Sequence, residues 1–129
     1  MDSNVLLDIV QGSSVWTEWS RLQLNERGAL GPLLINDVVF AEVSVSFERV
    51  AELDAFLSAA QVDRERTPPQ ALFLAARAHL QYRRQGGTRL GVLPDFFIGA
   101  HALVASAPLL TRDAARYRAY FPELHLIAP

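Results

Sequence analysis

Short apolar runs alternate with helical stretches along most of the 129-residue chain, and this alternation limits the fold more than any other feature. Residues 33–35, 108–111 and 124–127 have the composition of short buried strands, and the segments between them carry apolar residues at helical spacing. Strands separated by helices favour parallel pairing with helices on both faces of the sheet. We therefore expect a three-layer α/β/α fold with a short parallel sheet, formed by a single domain over residues 1–129.

Local signals predict where several helices begin and end. Ser14 is a candidate N-cap and Gly28 a candidate stop for a helix whose apolar face would carry Val15, Trp19 and Leu22. Asp37 is expected to cap a second helix, and a third is expected from Ser46. Thr67 is expected to cap a fourth helix with Pro68 at its first helical position, and a fifth is expected to begin at Pro94.

The composition excludes several kinds of chemistry. The chain has no cysteine, which removes thiol catalysis and thiolate metal sites, and all 12 basic residues are arginine, which removes lysine-dependent phosphate loops and Schiff bases. A net charge of −2 does not by itself indicate a nucleic-acid binder. No apolar run is long enough to span a bilayer and no signal peptide is recognisable, so we expect a cytoplasmic protein without a membrane partner.

Four acidic residues are candidates for one shared site. Ligands of parallel sheets bind beyond the carboxyl ends of the strands. Asp113 lies two residues after the strand candidate 108–111, and Asp95 lies in the first turn of the helix before that strand. Glu42 lies in the second turn of the helix after the first strand candidate, with its side chain directed back toward the start of that helix. Asp2, near the beginning of the sequence, is the fourth candidate.

Such a group of carboxylates points to a cation. Four carboxylates in one crevice would repel each other by about 4 kcal/mol per pair at roughly 4 Å and an effective dielectric constant of about 20. An all-oxygen set favours Mg²⁺ or Mn²⁺, which support phosphodiester hydrolysis. The histidines have no metal-ligand spacing; we expect His101 to be packed against its helix and His79 and His125 to lie on the surface.

The segments around these acids resemble the PIN domain, and specifically the VapC-type toxins of bacterial toxin–antitoxin pairs. The similar segments are "DSNVLLD", "INDVVFAEV", "LPDFFIGAHAL" and "LLTRDAARYRAYFPELHLI", and together they extend over nearly the whole chain. The resemblance implies a Mg²⁺- or Mn²⁺-dependent endoribonuclease that is neutralised by a small antitoxin and forms a homodimer. It assigns the catalytic and metal-binding positions to Asp2, Glu42, Asp95 and Asp113, and supporting polar positions to Asn4 and Thr111.

The beginning of the chain departs from the PIN pattern. Members of this family begin with a short apolar strand that ends at the first aspartate, whereas here only Met1 precedes Asp2. The first strand is therefore expected to be truncated. Either the start of the sequence is misassigned or trimmed, or residues 5–7 form the strand instead.

Arginines near the acids are candidates for contacts with RNA phosphates. Residues 70–94 contain four arginines and no acid. Guanidinium groups match phosphate geometry, and the cleavage site must lie beside the RNA backbone. The candidates are Arg83, Arg84, Arg89, Arg112 and Arg116, and the alternative is a solvated arginine-rich surface.

Two classes of function remain open at this point. The first is the metal-dependent ribonuclease, and the second is a non-catalytic, PIN-like protein that binds a partner and has a degenerate acidic site. A small α/β phosphatase is disfavoured because the chain lacks lysine and an Asp-x-Asp motif.

Overall fold

The computed structural model describes all residues, 1–129, as seven helices and four strands. The helices are α1 (Ser3–Gln11), α2 (Thr17–Leu30), α3 (Asp37–Ser44), α4 (Val50–Ala59), α5 (Pro69–Arg84), α6 (Pro94–Val104) and α7 (Ala115–Tyr120). The strands are β1 (Leu33–Asn36), β2 (Val62–Glu65), β3 (Leu109–Leu110) and β4 (Leu126–Ile127). Both strand pairs are parallel, which confirms the predicted α/β class. None of the helices is both long and apolar enough to cross a bilayer.

The parallel strands form two separate pairs, β1 with β2 and β3 with β4, in place of one continuous sheet. The first two residues of the chain connect these pairs. The Met1 amino group donates to the Leu34 carbonyl in β1 at 2.9 Å, and the Asp2 amide donates to the Leu110 carbonyl in β3 at 2.9 Å. Met1 and Asp2 thus occupy the position of a strand between β1 and β3.

A mostly apolar cavity of about 410 Å³ lies between the two strand pairs. Met1, residues of β1 and β3, and Ile98 and Ala102 of α6 line it. Residues 5–7 do not form a strand here, so that alternative is wrong. They lie within α1, where Val5 and Leu6 are fully buried in the core.

The core is built mainly where α5 packs along α6 and where α3 contacts both α1 and α6. Phe96 is fully buried, and its ring contacts Tyr120 at a centroid distance of 4.9 Å and Tyr82 at 5.9 Å. His79 belongs to this cluster and is only 8% exposed, so its predicted surface position is wrong. Its Nε2 donates to the Leu90 carbonyl at 3.0 Å, whereas its buried Nδ1 has no hydrogen-bond partner.

The prediction that Val15 and Leu22 belong to a buried apolar face of α2 is also wrong. Val15 precedes the helix and is 91% exposed, and Leu22 is 52% exposed. The buried residues of α2 are Thr17, Ser20 and Gln23. A polar face is buried because α2 packs on α1 around the carboxylate of Asp8, to which Ser20 Oγ donates at 2.9 Å.

Several predicted helix starts differ from the observed ones. Asn36 is the N-cap of α3, because its Oδ1 accepts from the Val39 amide at 3.0 Å, and Asp37 is the first helical residue. Helix α4 begins at Val50, not at Ser46, and α5 begins at Pro69 without a side-chain cap. Strand β2 and helix α7 were not predicted. Only Val62 of β2 is buried, so the strand has no apolar pattern, and α7 is too short to show helical spacing.

Candidate active site

Asp2 is a buried carboxylate whose Oδ2 atom is held by three donors. Its Oδ2 accepts from Thr111 Oγ1 at 2.7 Å, Asn4 Nδ2 at 2.9 Å and the Tyr117 hydroxyl at 3.1 Å. Asp2 is extended at the N-cap of α1, and its amide is bonded to β3, so backbone and side chain are both fixed. Asn4 and Thr111, the two residues with expected supporting positions, both lie in direct contact with Asp2.

Thr111 connects Asp2 to the loop that carries Asp113. Its hydroxyl is fully buried, donates to Asp2 and accepts from the Asp113 amide at 3.1 Å. The Asp113 side chain is exposed, and its Oδ1 accepts from the Ala115 amide at 3.4 Å. Asp113 is near enough to Asp95 for its charge to raise the pKa of that carboxyl.

Asp95 lies in the first turn of α6, with one oxygen in an ion pair. Arg116 Nη1 is 3.0 Å from Asp95 Oδ2. The pKa of Asp95 is nevertheless raised, first because burial disfavours the charged form and second because Asp2 is negative. The nearby Arg116 lowers the pKa but does not cancel these effects.

Glu42 completes the group from α3. Burial raises its pKa, a hydrogen bond from Ser3 opposes the shift, and the charges of Asp2 and Asp95 add to it. The Oε1 atom of Glu42 is buried and has no hydrogen-bond partner. Such an unpaired carboxylate oxygen is costly in a protein interior unless a ligand or water satisfies it.

The donor set fits a divalent cation in its chemistry. The side chains offer only oxygen ligands, and one of these oxygens lacks a partner. The charge of Asp2 raises the pKa of both Glu42 and Asp95, and the charge of Asp95 also raises the pKa of Glu42. As the side chains stand, however, no three acids or histidines have donor atoms placed to hold one ion. Coordination by three of these side chains would therefore need side-chain rotation.

A family model identifies the chain. The model of the PIN domain matches residues 1–122, which is most of the sequence and includes all four acids. This chain belongs to the PIN domain family. No curated protein sequence matches it significantly.

Solved structures with the same fold include chains of three VapBC complexes. A chain of VapBC2 from Rickettsia felis, bound to a DNA fragment from its promoter, is 17% identical with a TM-score of 0.74, and the match covers 99% of this chain and 96% of that chain. A chain of VapBC-1 from nontypeable Haemophilus influenzae is 15% identical with a TM-score of 0.70, and the match covers 98% of this chain and 94% of that chain. A chain of DNA-bound VapBC from Salmonella typhimurium is 16% identical with a TM-score of 0.72, with the same two coverages of 98% and 94%. At these identities the likeness shows the PIN fold.

The sequence did not predict that two further residues of this PIN domain, Tyr117 and Ser3, contact the acids. Tyr117 donates to Asp2, and burial together with the charge of Asp2 raises the pKa of its phenol. Ser3 Oγ donates to Asp2 Oδ1 at 3.5 Å, and the Ser3 side chain also lowers the pKa of Glu42. Tyr117 follows Asp113 at helical spacing, but this signal could not be read because α7 was not predicted.

The candidate RNA-binding arginines differ in their contacts. Arg112 Nε lies 3.0 Å from Asp8 Oδ2, and its amide donates to Asn4 Oδ1 at 3.2 Å. Arg83 donates to the Gly87 carbonyl at 3.1 Å, whereas Arg84 is exposed and makes no ion pair or hydrogen bond. The carboxyl end of α5 lies close to α7, because Tyr120 donates to Gln85 Oε1 at 3.1 Å.

Proposed function

We propose that this PIN-domain protein is the toxin of a toxin–antitoxin pair and a Mg²⁺- or Mn²⁺-dependent endoribonuclease. The observation that supports this most is that the charge of Asp2 raises the pKa of both Glu42 and Asp95, which are far from it in the sequence, next to a buried Glu42 oxygen without a partner. Negative charge accumulated in this way is unfavourable unless a cation is present.

Each residue of the acidic group has a role in this proposal. Asp2, Asp95 and Asp113 hold the cation, and Asn4, Thr111 and Tyr117 keep Asp2 in place. When bound, such an ion supplies positive charge to the phosphodiester and lowers the pKa of a water molecule. Glu42 orients the attacking water at Oε1, and its raised pKa suits it to accept a proton.

The RNA backbone is proposed to run from the acidic group toward the end of α5. Arg84 and Arg89 are exposed there, and the Tyr82 phenol at this end has a pKa lowered by hydrogen bonds from the loop and also by the charge of Arg116. The positive charge of Arg116 and that of the α5 end therefore lie near one another. Phosphate groups could bind along this surface.

The protein partner is proposed to be an antitoxin that covers exposed apolar residues. The solved relatives are VapBC complexes, two of them bound to DNA. Val15, Trp16 and Leu22 are exposed near the start of α2, and Val50 is exposed at the start of α4. We further propose one domain, a homodimer and action in the cytoplasm.

The second candidate function, a non-catalytic PIN protein that binds a partner, also has support. No three acidic side chains are placed to hold one ion. A degenerate site of this kind would leave the fold and the antitoxin surface intact but would not cleave RNA.

Asp95→Asn distinguishes the two functions. Replacing the carboxylate by an amide removes one charge from the proposed ligand set, so we expect metal-dependent RNA cleavage to fall by at least about 100-fold, the scale on which essential electrostatic groups act. The measurement is cleavage of a labelled RNA mixture with Mn²⁺ or Mg²⁺ and with chelator. Asp54→Asn, on an exposed position of α4, is the matched control.

The ribonuclease proposal is wrong if the purified wild-type protein cleaves no RNA with either metal. It is also wrong if Asp95→Asn cleaves as fast as Asp54→Asn. In the first case, a wild-type protein that still binds its antitoxin would favour the partner-binding alternative.

A further inference from the structure

Arg116 is the only cation in contact with the acidic group. Its Nη1 is 3.0 Å from Asp95 Oδ2, and the two side chains are 45% and 34% exposed. The other ion pairs of the structure involve none of Asp2, Glu42, Asp95 and Asp113. Asp95 is thus the one carboxylate of the group with a positively charged partner.

The backbone at Arg116 is firmly held. The next residue, Tyr117, is 1% exposed, and its hydroxyl donates to Asp2. Helix α7 packs closely on α6, since a Cβ atom at Gly99 would lie 2.6 Å from the Phe121 ring and 3.1 Å from the Tyr117 ring. These contacts fix the start of α7, so an exchange of partners by Arg116 involves its flexible side chain alone.

The guanidinium occupies an oxygen that a cation would also need. With Arg116 on Asp95, no three acids are placed to hold an ion. Arg116 only partly offsets the burial and negative charge around Asp95. A divalent ion carries twice the charge of a guanidinium and can displace it, because a half-exposed ion pair is worth about 1 kcal/mol or less.

Building on the proposed metal site, we infer that Arg116 is a built-in competitor for the divalent cation, which holds Asp95 in the metal-free state and turns to an RNA phosphate when the cation binds. The side chain is long and partly exposed, so a rotation carries the guanidinium from the carboxylate toward solvent. A phosphate beside the acidic group is the partner that it would then meet.

This exchange would couple metal binding to RNA binding. A phosphate that captures Arg116 removes the competitor from Asp95 and so strengthens metal binding. By linkage, the metal strengthens RNA binding by the same factor. In the absence of RNA, Arg116 would therefore lower the affinity of the site for the metal.

The test is Mn²⁺ binding to the full chain without RNA, measured by calorimetry and by the paramagnetic resonance signal of free Mn²⁺. We expect Arg116→Ala and Arg116→Gln to bind Mn²⁺ about two- to five-fold more tightly than wild type, which corresponds to the loss of a half-exposed ion pair. Arg118→Ala is the matched control, because Arg118 is exposed on the same helix and has no acidic partner.

A second measurement tests the coupling. Binding of a 2′-O-methyl oligonucleotide, which resists cleavage, is titrated with and without Mn²⁺. We expect Mn²⁺ to strengthen binding by wild type and Arg118→Ala more than by the two Arg116 variants.

The outcomes separate this inference from the proposed function. If Asp95→Asn weakens Mn²⁺ binding but both Arg116 variants bind Mn²⁺ like Arg118→Ala, or more weakly, Arg116 does not compete and only the inference fails. If wild type binds no Mn²⁺, or Asp95→Asn binds it equally well, the metal site itself is absent and both proposals fail. Thermal melts confirm that each variant is folded, and the Gln variant retains a polar side chain in place of the guanidinium.

Discussion

Asp8 is a buried carboxylate that binds side chains from two other parts of the chain. It is 2% exposed, accepts from Ser20 Oγ at 2.9 Å and pairs with Arg112 Nε at 3.0 Å. These contacts connect α1, α2 and the loop after β3 that carries Asp113. Arg112 was expected to contact RNA, and its side chain is already engaged in a partly buried ion pair. The structure therefore suggests a role for Arg112 in stability.

We predict that Arg112→Ala lowers the free energy of unfolding by about 2 kcal/mol. Removing one partner of a buried ion pair costs about 3–5 kcal/mol, and we reduce this figure because the Arg112 side chain is 35% exposed. Urea denaturation measures the change. The double variant Arg112→Ala with Asp8→Asn should recover part of the loss, because it leaves no unpaired buried charge. Strictly additive effects would show that the pair is not coupled.

At the scale of secondary-structure elements, the junction between β1 and β3 decides how the acidic group is positioned. Met1 and Asp2 provide the only backbone hydrogen bonds from the start of the chain to these two strands. The cavity beside Met1 leaves the facing edges of β1 and β3 without further strand contacts. An extended apolar segment placed there could pair with both edges.

We predict that three apolar residues added before Met1, such as Val-Ile-Val, raise the free energy of unfolding by about 2–4 kcal/mol. Burial contributes about 1.5–3 kcal/mol per side chain and is partly offset by the entropy of ordering about three residues. Urea denaturation is compared with that of a Ser-Gly-Ser extension of equal length. Equal stability of the two extended chains would show that the cavity does not accept an apolar strand.

The amino group of a chain that begins at Met1 should make stability depend on pH. Burial lowers the pKa of this amine from 8.0 to about 6, and Asp2 opposes the shift. Between these values the unfolded chain binds a proton that the folded chain does not, so stability should rise by about 2–3 kcal/mol from pH 6 to pH 8. Urea denaturation across this range measures the rise.

The apolar extension provides the control for this pH effect. It converts the amine to a neutral amide, so the rise should become smaller. His101, whose pKa is lowered mainly by burial while Glu65 opposes the shift, remains in both chains. The charge of the amine also lowers the pKa of His101, so the difference between the two chains reports the amine together with this effect on His101. Identical pH dependence in both would show that the amine is not buried.

At the scale of the whole molecule, charge is distributed unevenly although the net charge is only −2. The acids of the candidate site lie close to one another, and residues 70–94 carry positive charge without any acid. Proximity of Tyr82 to Arg116 brings these two regions side by side. A polyanion can therefore bind locally to a molecule that is acidic overall.

We predict that Arg84→Ala weakens RNA binding and reduces the salt dependence of the binding constant. Each lost phosphate contact should lower the slope of log K against log salt by about 0.7 for single strands. Binding is measured in the Asp95→Asn background so that the RNA stays intact. Arg66→Ala, which removes an exposed arginine before α5, is the control. An unchanged slope in Arg84→Ala would remove this residue from the RNA surface. Arg83 is a less clear test, since it also holds the Gly87 carbonyl.

The sequence by itself determined the α/β class and the strands at residues 33, 109 and 126, which follow from local periodicity. It also singled out the four acids by residue type, whereas Asn4 and Thr111 were assigned only through the resemblance to the PIN domain, and the role of all six residues stays a prediction. Tertiary structure alone decided that β1 and β3 are joined through Met1 and Asp2, that Asp8 is buried with Arg112, and that Tyr117 and Arg116 contact the acids. Such contacts join residues about 20 to 115 positions apart, and their energies depend on distance and burial, which no local pattern contains.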